Sequence, residues 1–361
     1  MKATQLLHQF GQSLWLDNIT RDLLDSGTLR RYITELSVTG LTSNPTIFDH
    51  ALKSSAAYDA SIRAKLKAGR RDEALFFDLA LEDITRAADE FRPTFERTNG
   101  VDGWVSLEVS PQLAYDTAGT IEAAKTLHAR ANRPNLFIKI PGTKPGLPAI
   151  EAAIFAGIPV NVTLLFSREQ YLAAAEAYLR GIERRIAAGL NPDVGSVASV
   201  FISRWDVAVN GKVPAELVNR LGIAVAGRTY RAAQDLLFSA RARRAYNAGA
   251  RAQRLLWAST GTKDPKADPT LYVQALAAPF TINTMPEATL QALAQRSDIG
   301  AGLAEDGGDC ERALARFAQA GIDVLALAEQ LQQEGAAAFV KSWQELLGVI
   351  ADKSAALGAA A

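Results

Sequence analysis

Apolar residues in this chain fall into eight short runs, and between them apolar positions recur at the three-to-four residue spacing of helices. The runs are SLWLD (13–17), VTGLTSN (38–44), WVSLEV (104–109), LFIKI (136–140), PVNVTLLF (159–166), SVASVFIS (196–203), RLLWAS (254–259) and FTINTM (280–285). Most are nearly continuous in apolar character rather than alternating, the pattern of strands covered by helices on one face and by a core on the other. Eight β–α alternations predict a (β/α)8 TIM barrel, with a doubly wound sheet as the alternative. The stretch from 54 to 99 is longer than one crossover helix needs. YDASIRAKLKAG and DEALFFDLALEDITRAADEFRPTFE read as helices inserted after the second strand, around 50–100. Residues 286–350 read as further helices, with EDGGDCERALARFAQAG (305–321) as a glycine-broken connection and the terminal AALGAAA (355–361) frayed. No internal repeat and no second core appear, so residues 1–361 are expected to form a single α/β domain.

Polar residues inside these runs change the picture. Asp17, Asn44, Glu108, Lys139, Thr163, Ser199 and Ser259 each lie in, or at the C-terminal end of, a different run. Residues two apart share a strand face, which pairs Thr42 with Asn44, Ser106 with Glu108 and Asn161 with Thr163. In a barrel these side chains converge on the C-terminal mouth, where this fold places its chemistry. Each has a structural reading on its own. Asp17 with Asn18 suits a cap for the helix TRDLLDSGTLRRYITE, Asn44 suits a turn before Pro45, and Arg204 suits a surface pair with Asp206. Lys139 is the hardest to explain structurally, because an unpaired ammonium in a buried strand is costly and a closed barrel has no edge to point it from.

Composition narrows the chemistry. Lys plus Arg and Asp plus Glu each number 39, so the formal charge is zero and neither nucleic acid nor an anionic membrane is the expected partner. RRAYNAGARAQR (243–254) is basic, but its charges are spaced as on a solvated helix face. Cys310 is the only cysteine, which rules out an intrachain disulfide and a thiolate cluster. His8, His50 and His128 are not at metal-ligand spacing, and no glycine-rich phosphate loop follows a strand. Neither a metal nor an organic cofactor is expected. MKATQLLHQF lacks a signal-peptide core and no run is long enough to span a bilayer, so a cytoplasmic protein is expected, as a monomer or homodimer.

Lysine, carboxylates and hydroxyls remain. An amine in an apolar pocket is more readily neutral and attacks a carbonyl to give a Schiff base. Such a step needs a proton shuttle, and Glu108 on the neighbouring strand suits it, through a water held by Thr163. Asp17 suits the base that deprotonates a substrate hydroxyl. Asn44, Asn161 and Ser199 suit polyol hydroxyls, and Arg204 suits a phosphate. The reaction class these imply is retro-aldol cleavage or transfer on a phosphorylated ketose.

LTSNPTIF (41–48), SLEVSP (106–111), LFIKIPGT (136–143), GIPVNVTLLFS (157–167) and LLWASTGTKDP (255–265) also occur in the order, and with similar spacing to, those of the transaldolases. From about residue 10 to 350 the chain resembles that family, most nearly its longer bacterial branch. The resemblance implies that Lys139 forms the Schiff base, that Asp17 takes the hydroxyl proton, and that Glu108 with Thr163 holds the catalytic water. It also implies that Asn44, Asn161 and Ser199 contact the dihydroxyacetone unit or flanking hydroxyls and Arg204 the phosphate; Thr42 and Ser259, from the strand reading, and Lys263 are expected as further binding residues. The implied reaction moves that three-carbon unit from sedoheptulose 7-phosphate to glyceraldehyde 3-phosphate in the non-oxidative pentose phosphate pathway. Many members carry a second arginine just after the seventh strand; here Lys263 or backbone donors near Gly261 stand in its place.

Overall fold

The computed structural model describes residues 1–358. Eight parallel strands close into a barrel in chain order: β1 (Ser13–Asp17), β2 (Val38–Thr42), β3 (Trp104–Glu108), β4 (Leu136–Pro141), β5 (Val160–Leu165), β6 (Ser196–Phe201), β7 (Arg254–Ala258) and β8 (Ile282–Met285). The pairing of β8 with β1 leaves no open edge, which excludes the doubly wound sheet and an edge position for Lys139. Several strands end earlier than the apolar runs suggest, because the last residues are used to start helices. Asn44 is the clearest case: its side-chain oxygen accepts from the Ile47 amide at 3.1 Å and caps the helix Pro45–Ser54. β5 contains a bulge between Val162 and Leu165, with Leu164 at φ +59°.

Aromatic and aliphatic side chains plug the barrel interior and form a floor. Trp104 stacks on Phe137 with ring centres 4.0 Å apart, and Trp15 reaches Phe137 at 6.1 Å although β1 and β4 are not neighbours. Val197, Leu256 and Ile282 complete the same buried cluster. Gly40 makes room for it, since a β-carbon there would lie 2.5 Å from the Trp15 indole. That indole is itself fixed by donating to Asp102 at 2.8 Å.

Below the floor, the strand run 254–259 begins where expected, but the reading of the residues before it does not hold. The basic stretch 243–254 is not one solvated helix face: its helix, Ala240–Asn247, stops short, and Arg254 opens β7 with its guanidinium buried. Arg254 donates to Ser13 Oγ at 2.7 Å and to the carbonyls of Thr281 and Val101 at 2.9 and 3.0 Å. Charge spacing describes a helix only while the helix lasts, and glycine at 249 falls just past its end. The stretch 305–321 is likewise more ordered than a connection. Cys310–Gln319 is a helix because Cys310, Leu314 and Phe317 share one buried face against the helix Leu221–Leu237. TRDLLDSGTLRRYITE divides at Gly27 into Arg21–Asp25 and Thr28–Leu36, and the cap is Thr20, not Asp17.

Between β2 and β3 run the helices Pro45–Ser54, Asp59–Lys67 and Asp72–Arg97. They grip the last helix, Val324–Gly358, through an aromatic cluster in which Phe76 meets Phe48 at 5.3 Å and Trp343 at 4.8 Å. Lys353 adds an ion pair to Asp59 at 3.1 Å. Further back, Gln332 donates to the carbonyls of Leu164 (2.9 Å) and Gly142 (3.2 Å), at the C-terminal ends of β5 and β4. The helix is thus pinned across the barrel mouth from two sides. It runs to Gly358 where fraying from 355 was expected; residues 359–361 lie outside the described residues.

Replacing Gly40 by alanine drives a methyl into a hydrogen-bonded indole, and overpacking of this kind costs about 2 kcal/mol. Urea denaturation of Gly40→Ala should show a correspondingly lower midpoint; an unchanged midpoint would mean the floor repacks freely.

Candidate active site

Parallel pairing sets the site's first distances. Glu108 on β3 is the register partner of Lys139 on β4, and Lys139 is the partner of Asn161 on β5. All three side chains are buried. Lys139 Nζ donates to Glu108 Oε2 at 3.1 Å and to the Ser43 carbonyl at 3.2 Å. The structural reading of Glu108 as an ion-pair partner is therefore part of the geometry, yet only one of its oxygens is used. Glu108 Oε1 and Thr163 Oγ1 are both buried and have no hydrogen-bond partner among the described residues. Burial pushes the Glu108 carboxyl up from its ordinary pKa, and Lys139 opposes that shift.

Asp17, at the end of β1, is paired in register with Thr42 on β2. Thr42 Oγ1 donates to Asp17 Oδ1 at 2.7 Å. Having one proton, Thr42 must accept from Thr284 Oγ1, 2.6 Å away on β8. Asp17 is partly open to the pocket but deep in the mouth, so desolvation raises its pKa, against the pull of Lys139, the Thr42 hydroxyl and Lys263. On the other side, Asn161 Oδ1 accepts from Ser199 Oγ at 2.6 Å while its amide donates to Ser106 Oγ at 3.1 Å. Two carboxyls and one ammonium are thus ringed by neutral hydroxyl and amide groups.

These groups surround a cavity at the C-terminal mouth. Asp17, Thr42, Asn44, Lys139, Thr163 and Ser199 line it, as do Arg204, Ser259 and Lys263 at its rim. Glu108 and Asn161 stand behind that surface, reaching it through Lys139 and Ser199. Asn44 is both cap and lining residue, and Ser259, at φ +55°, pairs its hydroxyl with Ser203 at 2.9 Å. Arg204 does not pair with Asp206. That carboxylate is buried, accepting from the Leu221 amide and the Tyr272 hydroxyl, both at 2.8 Å, and burial pushes its pKa up to about 6. The Arg204 guanidinium instead lies 5.3 Å from the centre of the Phe201 ring and 5.8 Å from that of Phe339, with no ion pair among the described residues. Lys263 is exposed, and its loop is tied down by Asn219 donating to Asp264 at 2.8 Å.

Thr284, Phe201, Pro286 and Phe339 also line the cavity and were not singled out from sequence. Thr284 and Phe201 were findable, since they lie two positions after the floor residue Ile282 and after Ser199 on the same inward faces. Phe339 carried no signal, because 200 residues of chain separate it from Lys139, over which its ring sits at 5.8 Å. No group of three or more His, Cys, Asp or Glu among the described residues is arranged to hold a metal ion.

Fold and pocket together define a barrel enzyme whose polar groups gather around a buried lysine. The sequence pattern of the transaldolase/fructose-6-phosphate aldolase family matches residues 14–350, and the chain belongs to that family. It is 44% identical to the transaldolase of Thermobifida fusca, with 98% of each chain covered. It is 38% identical to transaldolase 2 of Nostoc punctiforme over 98% of each, and 41% identical to transaldolase 1 of Streptomyces coelicolor over 96% of this chain and 94% of that one.

A carboxyl titration followed by carbon-13 NMR should place Asp17 above the ordinary aspartate range. Thr42→Val removes a hydrogen bond that favours the charged form, so the Asp17 midpoint should rise further; a fall would contradict the assigned donor.

Proposed function

We propose that this protein is a transaldolase that transfers a dihydroxyacetone unit from sedoheptulose 7-phosphate to glyceraldehyde 3-phosphate, giving erythrose 4-phosphate and fructose 6-phosphate. The observation that carries the reading is the buried Lys139 ammonium, held by Glu108 on the adjacent strand and facing a cavity lined with hydroxyls. Glu108 Oε2 takes a proton from Lys139, and burial, which favours the neutral carboxyl, makes that transfer feasible. The amine attacks the ketose carbonyl at C2, Glu108 returns the proton to the oxygen, and loss of water gives the protonated imine. The two free oxygens, Glu108 Oε1 and Thr163 Oγ1, hold that water and later the one that hydrolyses the imine.

Asp17 then takes the proton from the C4 hydroxyl. The C3–C4 bond breaks, its electron pair enters the imine, and the aldose phosphate leaves as an aldehyde. The remaining enamine adds to the incoming aldehyde, and Asp17 gives its proton to the new alkoxide. Asn44, Asn161 and Ser199 hold the three-carbon unit, with Thr42 and Thr284 orienting Asp17. Arg204, with Lys263 and Ser259 on the same rim, takes the phosphate.

The same reading puts this reaction in the non-oxidative pentose phosphate pathway and the protein in the cytoplasm, as a monomer or homodimer. No helix among the described residues is long and apolar enough to cross a membrane. It also treats residues 1–361 as one domain, because Phe48, Phe76 and Trp343 join the same buried cluster as the barrel strands.

Incubation with fructose 6-phosphate followed by borohydride should leave a three-carbon adduct on Lys139, found by peptide mass spectrometry. Lys139→Met should abolish it and lower kcat by about 10⁴ or more. An adduct elsewhere, or none on folded protein, would sink the mechanism. Adding erythrose 4-phosphate should yield sedoheptulose 7-phosphate; free dihydroxyacetone instead would make the protein a fructose 6-phosphate aldolase. Because Asp17 must be ionised and its pKa is raised, kcat/KM should fall on the acid side at a pH above the ordinary aspartate range.

A further inference from the structure

The helix Val324–Gly358 contains two further glycines before its final residue, and they differ in what surrounds them. A β-carbon on Gly348 would meet nothing within 4 Å. One on Gly335 would lie 3.2 Å from Arg204 Nη1 and 3.0 Å from Leu164 Cδ2. Glycine is a poor helix former, so its presence in the middle of a 35-residue helix calls for a reason, and only at Gly335 does the structure supply one. Phe339 follows Gly335 by one turn on the same face, and both are buried. Its ring centre lies 5.8 Å from the Arg204 guanidinium, as that of Phe201 lies 5.3 Å away, and Glu334 on the same helix draws on the same charge.

We propose that Gly335 and Phe339 are positioning residues for the phosphate-binding arginine: the glycine leaves a slot in the roof helix into which the Arg204 guanidinium fits, and the phenyl ring holds its plane. The inference rests on Arg204 taking the substrate phosphate, as set out above. An arginine without a carboxylate partner keeps its donors free for phosphate, but only if something else fixes the fork, and stacking on aromatic faces does this without occupying a donor. Anchoring comes from both sides of this pair along the helix. Gln332 ties it to the bulge at Leu164, and Trp343 lies among Phe76 and Phe77 of the inserted helix Asp72–Arg97. The insertion after β2 thereby contributes to phosphate recognition without touching substrate.

The test compares Gly335→Ala with Gly348→Ala, both of which improve helix propensity, and adds Phe339→Leu and Arg204→Met. Steady-state kinetics with fructose 6-phosphate would be set beside borohydride trapping with dihydroxyacetone, which has no phosphate. Gly335→Ala should raise KM for fructose 6-phosphate about ten-fold with kcat changed less than about two-fold, and should keep the trapping rate with dihydroxyacetone. Phe339→Leu should raise the same KM about three-fold. Gly348→Ala should match the parent protein throughout. If Arg204→Met raises KM but Gly335→Ala behaves like Gly348→Ala, the slot is overturned while the phosphate reading stands. If Gly335→Ala slows dihydroxyacetone trapping as much as it weakens fructose 6-phosphate, the glycine serves the roof generally and the proposal falls. If Arg204→Met leaves KM unchanged, the phosphate reading fails and takes the slot with it.

Discussion

A buried ammonium needs a counter-charge, and in this molecule that requirement fixes where everything else in the mouth of the barrel stands. Lys139 and Glu108 face each other across the β3–β4 register, almost wholly out of water. A pair of this kind contributes little net stability, because desolvating both groups offsets most of their attraction. What it does is leave the proton movable, since burial favours the neutral form of the carboxyl while the adjacent charge opposes it. The apolar floor of Trp15, Trp104 and Phe137 seals the pair from below. The neutral hydroxyls and amides of β2, β5, β6 and β8 surround it without adding a third strong charge beyond Asp17.

Above the pair, the roof is built from distant parts of the chain. The inserted helices between β2 and β3 form no separate layer of their own chemistry; their aromatic residues clasp the last helix and so bring Phe339 over both Lys139 and Arg204. The lining is therefore polar at its walls and apolar at its lid, which concentrates the electrostatics on the substrate's hydroxyls and phosphate rather than on water. Asp206 belongs to this support as well. By capping the helix Leu221–Leu237 and accepting from Tyr272, it is withdrawn from Arg204, two residues away on the same short helix.

Most of the barrel was legible in the chain because parallel strands are buried on both faces and stand out as apolar runs. The polar residues of the site were legible for the same reason, as exceptions inside those runs. Legibility failed where a residue's environment is made by another segment. Arg254 falls both at the end of the basic stretch and at the start of the seventh run, and its burial is illegible until strand closure brings Ser13, Val101 and Thr281 around it. Helix Cys310–Gln319 was obscured by the glycines that flank it, since its apolar stripe has meaning only against its partner helix. Asp17 read as a base with a cap as its alternative, and only the folded chain gives the cap to Thr20.

The sequence by itself determined the fold class, the family and most of the polar groups at the mouth, because strand periodicity is local and a period of two assigns each residue its face. Tertiary structure alone decided which groups pair and which are left free. That Glu108 and Thr163 each keep an unpartnered oxygen, that Thr42 passes Thr284's proton donation on to Asp17, and that Arg204 is held by rings rather than by Asp206 all depend on strand register, barrel closure and a helix arriving from more than a hundred residues away. Such contacts leave no periodic trace in the chain, because they are set by the summed packing of many elements and not by the neighbours of any one residue.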